Sequence, residues 1–300
     1  MFKIIKTINF IKYFKTFNII SLIFILLSLG ALLFKGLNYG VDFKGGTIIE
    51  LRTSDKNIKI KDIRRAFLSI DVGDVSVKKF GKDTDYLIKF EKKNNKNDNF
   101  IKNIKEDLSK KIGNNFKFRR VESVGPKVSQ ELLEAGMIAI ALSLSAMLFY
   151  IWIRFEWQFR LGAIIALIHD VIITLGFFSF LQLEVNLSIV AAVLTIVGYS
   201  MNDTVVIYDR VRENLNKYSS KNINEISNLS INETLSRTMI TSFTTLLALL
   251  SIFLFGGMIL KGFSFAMILG VIFGTYSSIF IANPILIFLK VSQKTITKEE

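Results

Sequence analysis

Apolar residues in this chain gather into six long blocks, with one long mixed region between the first block and the second. The blocks cover 16–34, 135–153, 161–183, 185–208, 238–260 and 262–289. The third is broken only by His169-Asp170 and the fourth only by Asp203. Each holds 19 to 28 residues, and about 20 are enough for a helix to cross a bilayer. Six crossings put both termini on one side. Within the mixed region the period changes. Ile49 and Leu51 alternate with Glu50 and Arg52, which predicts a strand. Ile60, Ile63, Phe67 and Ile70 share one helical face. Val75 and Val77 alternate, and after Gly81-Lys82-Asp83 so do Tyr86, Ile88 and Phe90, which predicts a hairpin. Phe100, Ile104, Leu108 and Ile112 line a second helix, and Phe116 and Phe118 mark a last strand. The order β-α-β-β-α-β is that of the split βαβ motif. The Asn/Lys-rich run at 91–98 reads as a solvated loop. The fold class is therefore a polytopic α-helical membrane protein with six transmembrane helices and an inserted α+β, ferredoxin-like domain. Its expected segments are 1–36 (terminus and first helix), 37–132 (inserted domain), 133–290 (five helices) and 291–300 (tail).

Composition agrees. The chain is 51% hydrophobic, with mean hydropathy +0.43. Its formal charge of +13 invites a nucleic-acid reading, which the distribution of the charge opposes. The four segments on the side of the termini hold 14 Lys and Arg, while the two short loops opposite hold only Lys261. That is the positive-inside pattern, with both termini cytoplasmic. The other 23 basic residues lie in the long region, to which the rule does not apply. The first block is expected to stay as an anchor, since Ser28-Leu29-Gly30-Ala31 followed by Leu-Leu-Phe is a poor cleavage site. Cysteine is absent and histidine occurs once, so neither a disulfide, a metal site nor any other cofactor is expected.

The candidate chemistry begins with Asp203, the only charge among 24 consecutive residues. An ionised carboxylate at hydrocarbon depth costs at least about 2.5–3.5 kcal/mol, so such a residue is a functional candidate by default. His169-Asp170 lies near the middle of the third block at a similar cost; a structural hydrogen bond and a place on a proton path are both open. Asn202 adjoins Asp203 and is a candidate hydrogen-bond partner. Thr234, Thr238, Thr241 and Thr245 form a hydroxyl stripe, read first as interhelical hydrogen bonding and second as a wet path. Gly270, Gly274, Ser278 and Ala282 form a small-residue stripe that lets a neighbouring helix approach. Asp209, Arg210, Arg212 and Glu213 read as an ion-pair network at a helix end.

Several passages carry a family resemblance. They are Gly40-Val-Asp-Phe-Lys-Gly-Gly46, Val124-Gly-Pro126 and His169-Asp-Val-Ile-Ile-Thr-Leu-Gly176. With them go Gly198-Tyr-Ser-Met-Asn-Asp-Thr-Val-Val206, Asp209-Arg-Val-Arg-Glu-Asn214, Arg237-Thr238, Phe255-Gly-Gly257 and Gly262-Phe-Ser264. In order and over essentially the whole chain, they resemble the SecD/SecF family of the bacterial Sec protein translocase, SecF-type, within the resistance-nodulation-division superfamily. The Asn-Asp-Thr-Val-Val and Asp-Arg-Val-Arg-Glu-Asn runs are the specific ones.

The resemblance implies a non-enzymatic inner-membrane subunit whose long loop is periplasmic. Its implied partners are SecD, the SecYEG channel, YajC and YidC, the translocating polypeptide and the membrane, with no nucleic acid. The implied activity assists late protein export using the proton motive force, through proton-linked motion of the periplasmic domain. The family's membrane carboxylate matches Asp203 and its membrane arginine Arg237. His169, Asp170, Asn202 and Thr241 are candidates for the proton path, and Asp42, Gly45, Gly46, Asp209 and Arg210 belong to the family motifs. The physics is compatible with this. Burial favours the neutral form of a carboxylic acid and a nearby cation favours the charged form. A carboxylate whose counter-charge approaches and withdraws can load and release a proton. The alternative is a stand-alone proton-driven exporter of a small molecule or lipid, which lacks here the paired half of such transporters. An intramembrane hydrolase has no supporting motif in the chain, and a purely structural assembly factor leaves Asp203 without a purpose.

Overall fold

The computed structural model describes residues 7–55, 58–70, 72–73, 75–79, 83–90, 100–218 and 220–296. The chain divides into two compact units, 39–137 and the remainder, 1–38 with 138–300.

The smaller unit is a four-stranded antiparallel sheet carrying two helices. After the short strand β1 (Asn38–Tyr39) and the one-turn helix α2 (Val41–Lys44) come β2 (Gly46–Thr53), α3 (Ile60–Leu68), β3 (Val75–Lys79) and β4 (Asp85–Phe90). Then follow α4 (Phe100–Ile112) and β5 (Phe116–Val124). The strand order β3-β4-β2-β5 puts the first and third strands of the motif at the centre. These are the ones whose inward side chains are most completely apolar. Ile49, Leu51, Tyr86 and Ile88 meet Ile63 and Phe67 of α3 and Ile104 and Leu108 of α4, all 0–1% exposed. The alternation at 47–52 and the helical spacing at 60–70 thus find each other across one core. β5 runs to Val124, well beyond the Phe116–Phe118 stretch that alternation alone marks. Its outer half alternates between exposed and half-buried positions and is held by backbone pairing with β2, with a bulge between Glu50 and Leu51. On β4, buried Asp85 takes both ends of the Arg52 guanidinium at 2.6 Å. That pairing holds the Arg52 guanidinium above its ordinary range. The turn at Gly81-Lys82, the loop 91–98 and the Phe100 side chain lie outside the described residues.

The larger unit is helical. Among the described residues six helices are long and apolar enough to cross a membrane: α1 (Ile11–Phe34), α5 (Pro126–Arg154), α6 (Trp157–Leu181), α7 (Leu187–Lys217), α8 (Ile223–Phe255) and a last crossing over Leu260–Phe288. The two-residue strand β6 (Glu184–Val185) precedes α7, and the short α11 (Gln293–Ile296) follows the last crossing. α6, α7 and the last crossing form the centre, each about half buried, whereas the apolar windows of α1 and α5 are 11% buried. The small-residue stripe explains the centre. Gly270 lies against Ile196 and Gly274 against Ser200, where any added Cβ would collide with α7.

The uncharged stretch 262–289 forms one continuous crossing whose helical pitch changes part-way. α9 (Met258–Ser277) passes through a π-helical turn (Ser278–Ala282) into α10 (Asn283–Phe288). The cause is Pro284, which lacks an N–H and whose ring excludes the carbonyl four residues earlier from its usual place. The fully buried Asn283 donates to the Ser278 carbonyl at 2.8 Å, and Tyr208 of α7 donates to the Ala282 carbonyl at 3.0 Å.

Candidate functional site

Helix α7 starts cleanly, its Asn186 side chain accepting from the Ile189 amide at 3.2 Å. From there Ile196, Ser200, Asp203, Ile207 and Val211 recur every three or four residues on the buried face. Asp203 therefore points into the bundle and is 4% exposed. Its Oδ2 accepts from Thr275 Oγ1 of α9 at 3.4 Å. Thr275 in turn lies 2.7 Å from Ser242 Oγ of α8. Either hydroxyl can donate in that second contact. Three helices thus supply a carboxylate and two hydroxyls in series. One turn before Ser242, Thr238 is 1% exposed, and its hydroxyl has no hydrogen-bond partner among the described residues.

Arg237 is exposed on α8. No ion pair within 4 Å joins it to Asp203 among the described residues. Thr241 is half-buried and turned back on its own helix, donating to the carbonyls of Arg237 and Thr238 at 3.1 and 3.0 Å. The buried hydroxyl face of α8 is accordingly Thr234, Thr238 and Ser242, and the stripe leaves Thr241 and Thr245 to one side. Asn202 is exposed and lines a groove of about 450 Å³ between α5 and α7, with Ser143, Met147, Tyr150 and Gly198. It makes no hydrogen bond to Asp203 among the described residues, because successive helical residues diverge by about 100°.

A second buried carboxylate lies one layer away. Asp170 on α6 is 0% exposed and His169 1%. Asp170 Oδ1 is 2.8 Å from His169 Nδ1. Its Oδ2 accepts from Ser200 of α7 at 2.5 Å and from Ser277 of α9 at 2.7 Å. The imidazole stacks on Tyr276 at 6.0 Å, whose hydroxyl donates to the Phe17 carbonyl of α1 at 2.6 Å. Thr275, Ser277, Ser242 and Ser200 were not singled out by the sequence. The one available signal was their position, hydroxyls embedded in otherwise apolar windows.

Residues 104–292 match the family described as protein export membrane protein SecD/SecF, C-terminal, and residues 30–56 match the SecD/SecF GG motif. The chain belongs to the SecD/SecF family. It is 49% identical over 281 residues to protein translocase subunit SecF of Rickettsia bellii (strain OSU 85-389), covering 93% of this chain and 91% of that one. With the SecF subunit of Rickettsia prowazekii it is 47% identical over 296 residues, covering 97% and 94%. Among solved structures it is similar to SecDF, a translocon-associated membrane protein from Thermus thermophilus, with TM-score 0.83 and 33% identity over 97% of this chain. It is also similar to SecDF in a super-membrane-facing form, with TM-score 0.68 and 29% identity. The chain spans 40% of the length of each SecDF chain. As a SecD/SecF protein it is a multi-pass inner-membrane accessory subunit that assists protein export, and its α+β unit is the periplasmic domain.

The remaining SecD/SecF motif residues have structural work that can be read directly. Asp42 sits in the one-turn helix α2 that leads into the glycine pair. Gly45 has φ 79° and ψ 164°, and Gly46 has φ 131°, values that residues with a Cβ adopt only under strain. A Cβ on Gly46 would stand 2.8 Å from the Phe90 carbonyl oxygen, so the pair lets β2 enter the sheet beside β4. At the far end of α7, Asp209 accepts from Arg154 of α5 at 2.8 Å. Arg210 donates to Glu233 of α8 at 2.7 Å and to Glu213 at 2.5 Å. Arg212 pairs with Glu156 at 3.0 Å. The expected ion-pair network is present, and it ties the end of α7 to α5, α8 and the turn before α6.

Proposed function

We propose that the protein couples proton entry through the membrane to late steps of protein export, with Asp203 as the group that takes up and releases the proton. The observation that carries this reading is the setting of Asp203: a carboxylate 4% exposed at the centre of the bundle, contacted by the Thr275 hydroxyl and, among the described residues, by no cation. Hydroxyls can serve either protonation state, since they both donate and accept. A contact ion pair would favour one state. Arg237 supplies a charge at longer range, and a small helix movement suffices to strengthen or weaken it. Each proton crossing 100 mV releases about 2.3 kcal/mol, enough to bias a two-state motion. In this reading the motion is passed to the periplasmic domain, residues 37–132, which acts on the emerging polypeptide.

The expected partners follow from the SecDF relatives, whose chains are more than twice as long. A SecD-type half supplies the rest of the complex, the SecYEG channel supplies the substrate polypeptide, and YajC and YidC are accessory partners. The test is completion of translocation in vesicles with an imposed proton gradient, comparing wild type with Asp203→Asn at equal protein level. Loss of the gradient-dependent increment supports the proposal. An Asp203→Asn protein that responds to the gradient like wild type rejects it.

A further inference from the structure

Asp170 is engaged at both carboxylate oxygens. Its Oδ1 faces His169, its Oδ2 takes hydroxyls from both Ser200 on α7 and Ser277 on α9, and its backbone carbonyl accepts from Thr174 at 2.8 Å. A buried carboxylate fastened from two other helices is suited to fixing their relative position. The position in question is specific. Along the α7–α9 seam the contacts Ile196–Gly270, Ser200–Gly274 and Tyr208–Ala282 all join residues 74 apart, so the two helices run parallel and in step. Ser200 lies three residues before Asp203, and Ser277 two residues after Thr275. The oxygen shared by the two serines therefore sits within a turn of the Thr275–Asp203 contact. That contact, at 3.4 Å, is already long. A slip of one residue along the axis, about 1.5 Å, would break it.

We propose that Asp170 is a positioning residue: by accepting from Ser200 and Ser277 through one oxygen, it sets the α7–α9 register in which Thr275 meets Asp203. This rests on the reading of Asp203 as the proton-accepting group. It gives His169-Asp170 a role distinct from carrying protons. The His169 tautomer with its hydrogen on Nδ1 completes the arrangement, orienting the carboxylate so that Oδ2 faces the two serines.

The chain contains no cysteine, so spin labels can be placed without background. Thr195→Cys on α7 and Ile272→Cys on α9 are exposed, and neither takes part in the two carboxylate clusters. The full chain, assembled with its SecD-type partner in proteoliposomes, is then measured for the distance distribution between the labels and for gradient-driven translocation. Asp170→Ala is expected to broaden or shift the distribution and to lower the gradient-dependent increment. Ser277→Ala is expected to lower the increment about fivefold, the scale of one net hydrogen bond. Asp170→Asn is expected to restore both readouts, because its amide oxygen still accepts from both serines while its NH2 donates to Nδ1 of His169 in the other tautomer.

Three results would overturn the proposal. The first is unchanged distances in Asp170→Ala, and the second is changed distances without loss of translocation. Alternatively, Asp170→Asn could abolish the gradient response at wild-type distances, which would make Asp170 a proton-carrying group. Full gradient response in Asp203→Asn would sink the reading of Asp203 instead, and the label distances report the register independently of that result.

Discussion

Tyr208 on α7 donates its hydroxyl to the carbonyl of Ala282 in the π-helical turn, across 3.0 Å and with the tyrosine fully buried. The turn lies just before Pro284, which cannot donate to the helical ladder, and the tyrosine bond ties α7 to it. Gly162 of α6 closes the site from the other side. A Cβ there would lie 2.2 Å from the Tyr208 hydroxyl and 3.0 Å from the Ala282 carbonyl oxygen.

A stability cycle follows from that geometry. Tyr208→Phe should lower stability by about 1 kcal/mol, the net worth of one buried hydrogen bond. Gly162→Ala should cost more, about 1–3 kcal/mol from overpacking. Combining the two should cost less than the sum of the singles, since removing the hydroxyl makes room for the methyl. Thermal unfolding in detergent gives the numbers, and strict additivity would contradict the assigned contact.

The periplasmic unit should fold when excised as residues 39–137, because its core is internal to it and contains no disulfide. Circular dichroism with a cooperative urea transition is the expected result, and a disordered-chain spectrum would contradict it. In that fragment Gly45→Ala should cost about 1–3 kcal/mol from backbone strain alone. Gly46→Ala should cost more, because the new Cβ would also meet the backbone of Phe90.

Topology can be checked by fusion. A reporter active only in the periplasm should give signal when joined after Asn95 and none after Lys217. The reverse pattern would contradict the assignment made from the basic residues around the termini.

Under the proposed reading, substitutions at and around Asp203 should grade with chemistry. Asp203→Asn keeps the shape and the hydrogen-bonding capacity but not the exchangeable proton, so folding should survive and gradient-driven export assistance should not. Asp203→Glu keeps the proton but displaces it by one methylene, and an intermediate rate is expected. Thr275→Val should also reduce the rate, while Thr241→Val should have little effect, because the Thr241 hydroxyl is turned onto its own helix. Arg237→Lys keeps the charge and should retain more of the rate than Arg237→Ala. Equal rates for Thr275→Val and wild type would exclude the hydroxyl from the mechanism.

Much of this protein is legible along the chain. Six crossings can be read because hydrocarbon depth requires about 20 apolar residues at a time. The α+β unit can be read because inward residues recur every second position in strands and every third or fourth in helices, as Ile49/Leu51 and Ile63/Phe67 do. Asp203 stands out because a carboxylate amid apolar residues is costly wherever the helix packs. Which helices occupy the centre is a different matter. Lipid tails and neighbouring helices are equally apolar, so α1, with few fully buried residues, and α6, half buried, look alike in hydropathy. For the same reason the partners of each carboxylate were hidden. Thr275 lies 72 residues from Asp203, and Ser277 lies 107 from Asp170, whereas the neighbour in sequence, Asn202, faces away. The chain by itself determined where charge would be expensive. Only the packing of α6, α7 and α9 decided which hydroxyls meet that charge, because that depends on helix rotation and register, which a pattern of apolar residues surrounded by lipid does not encode.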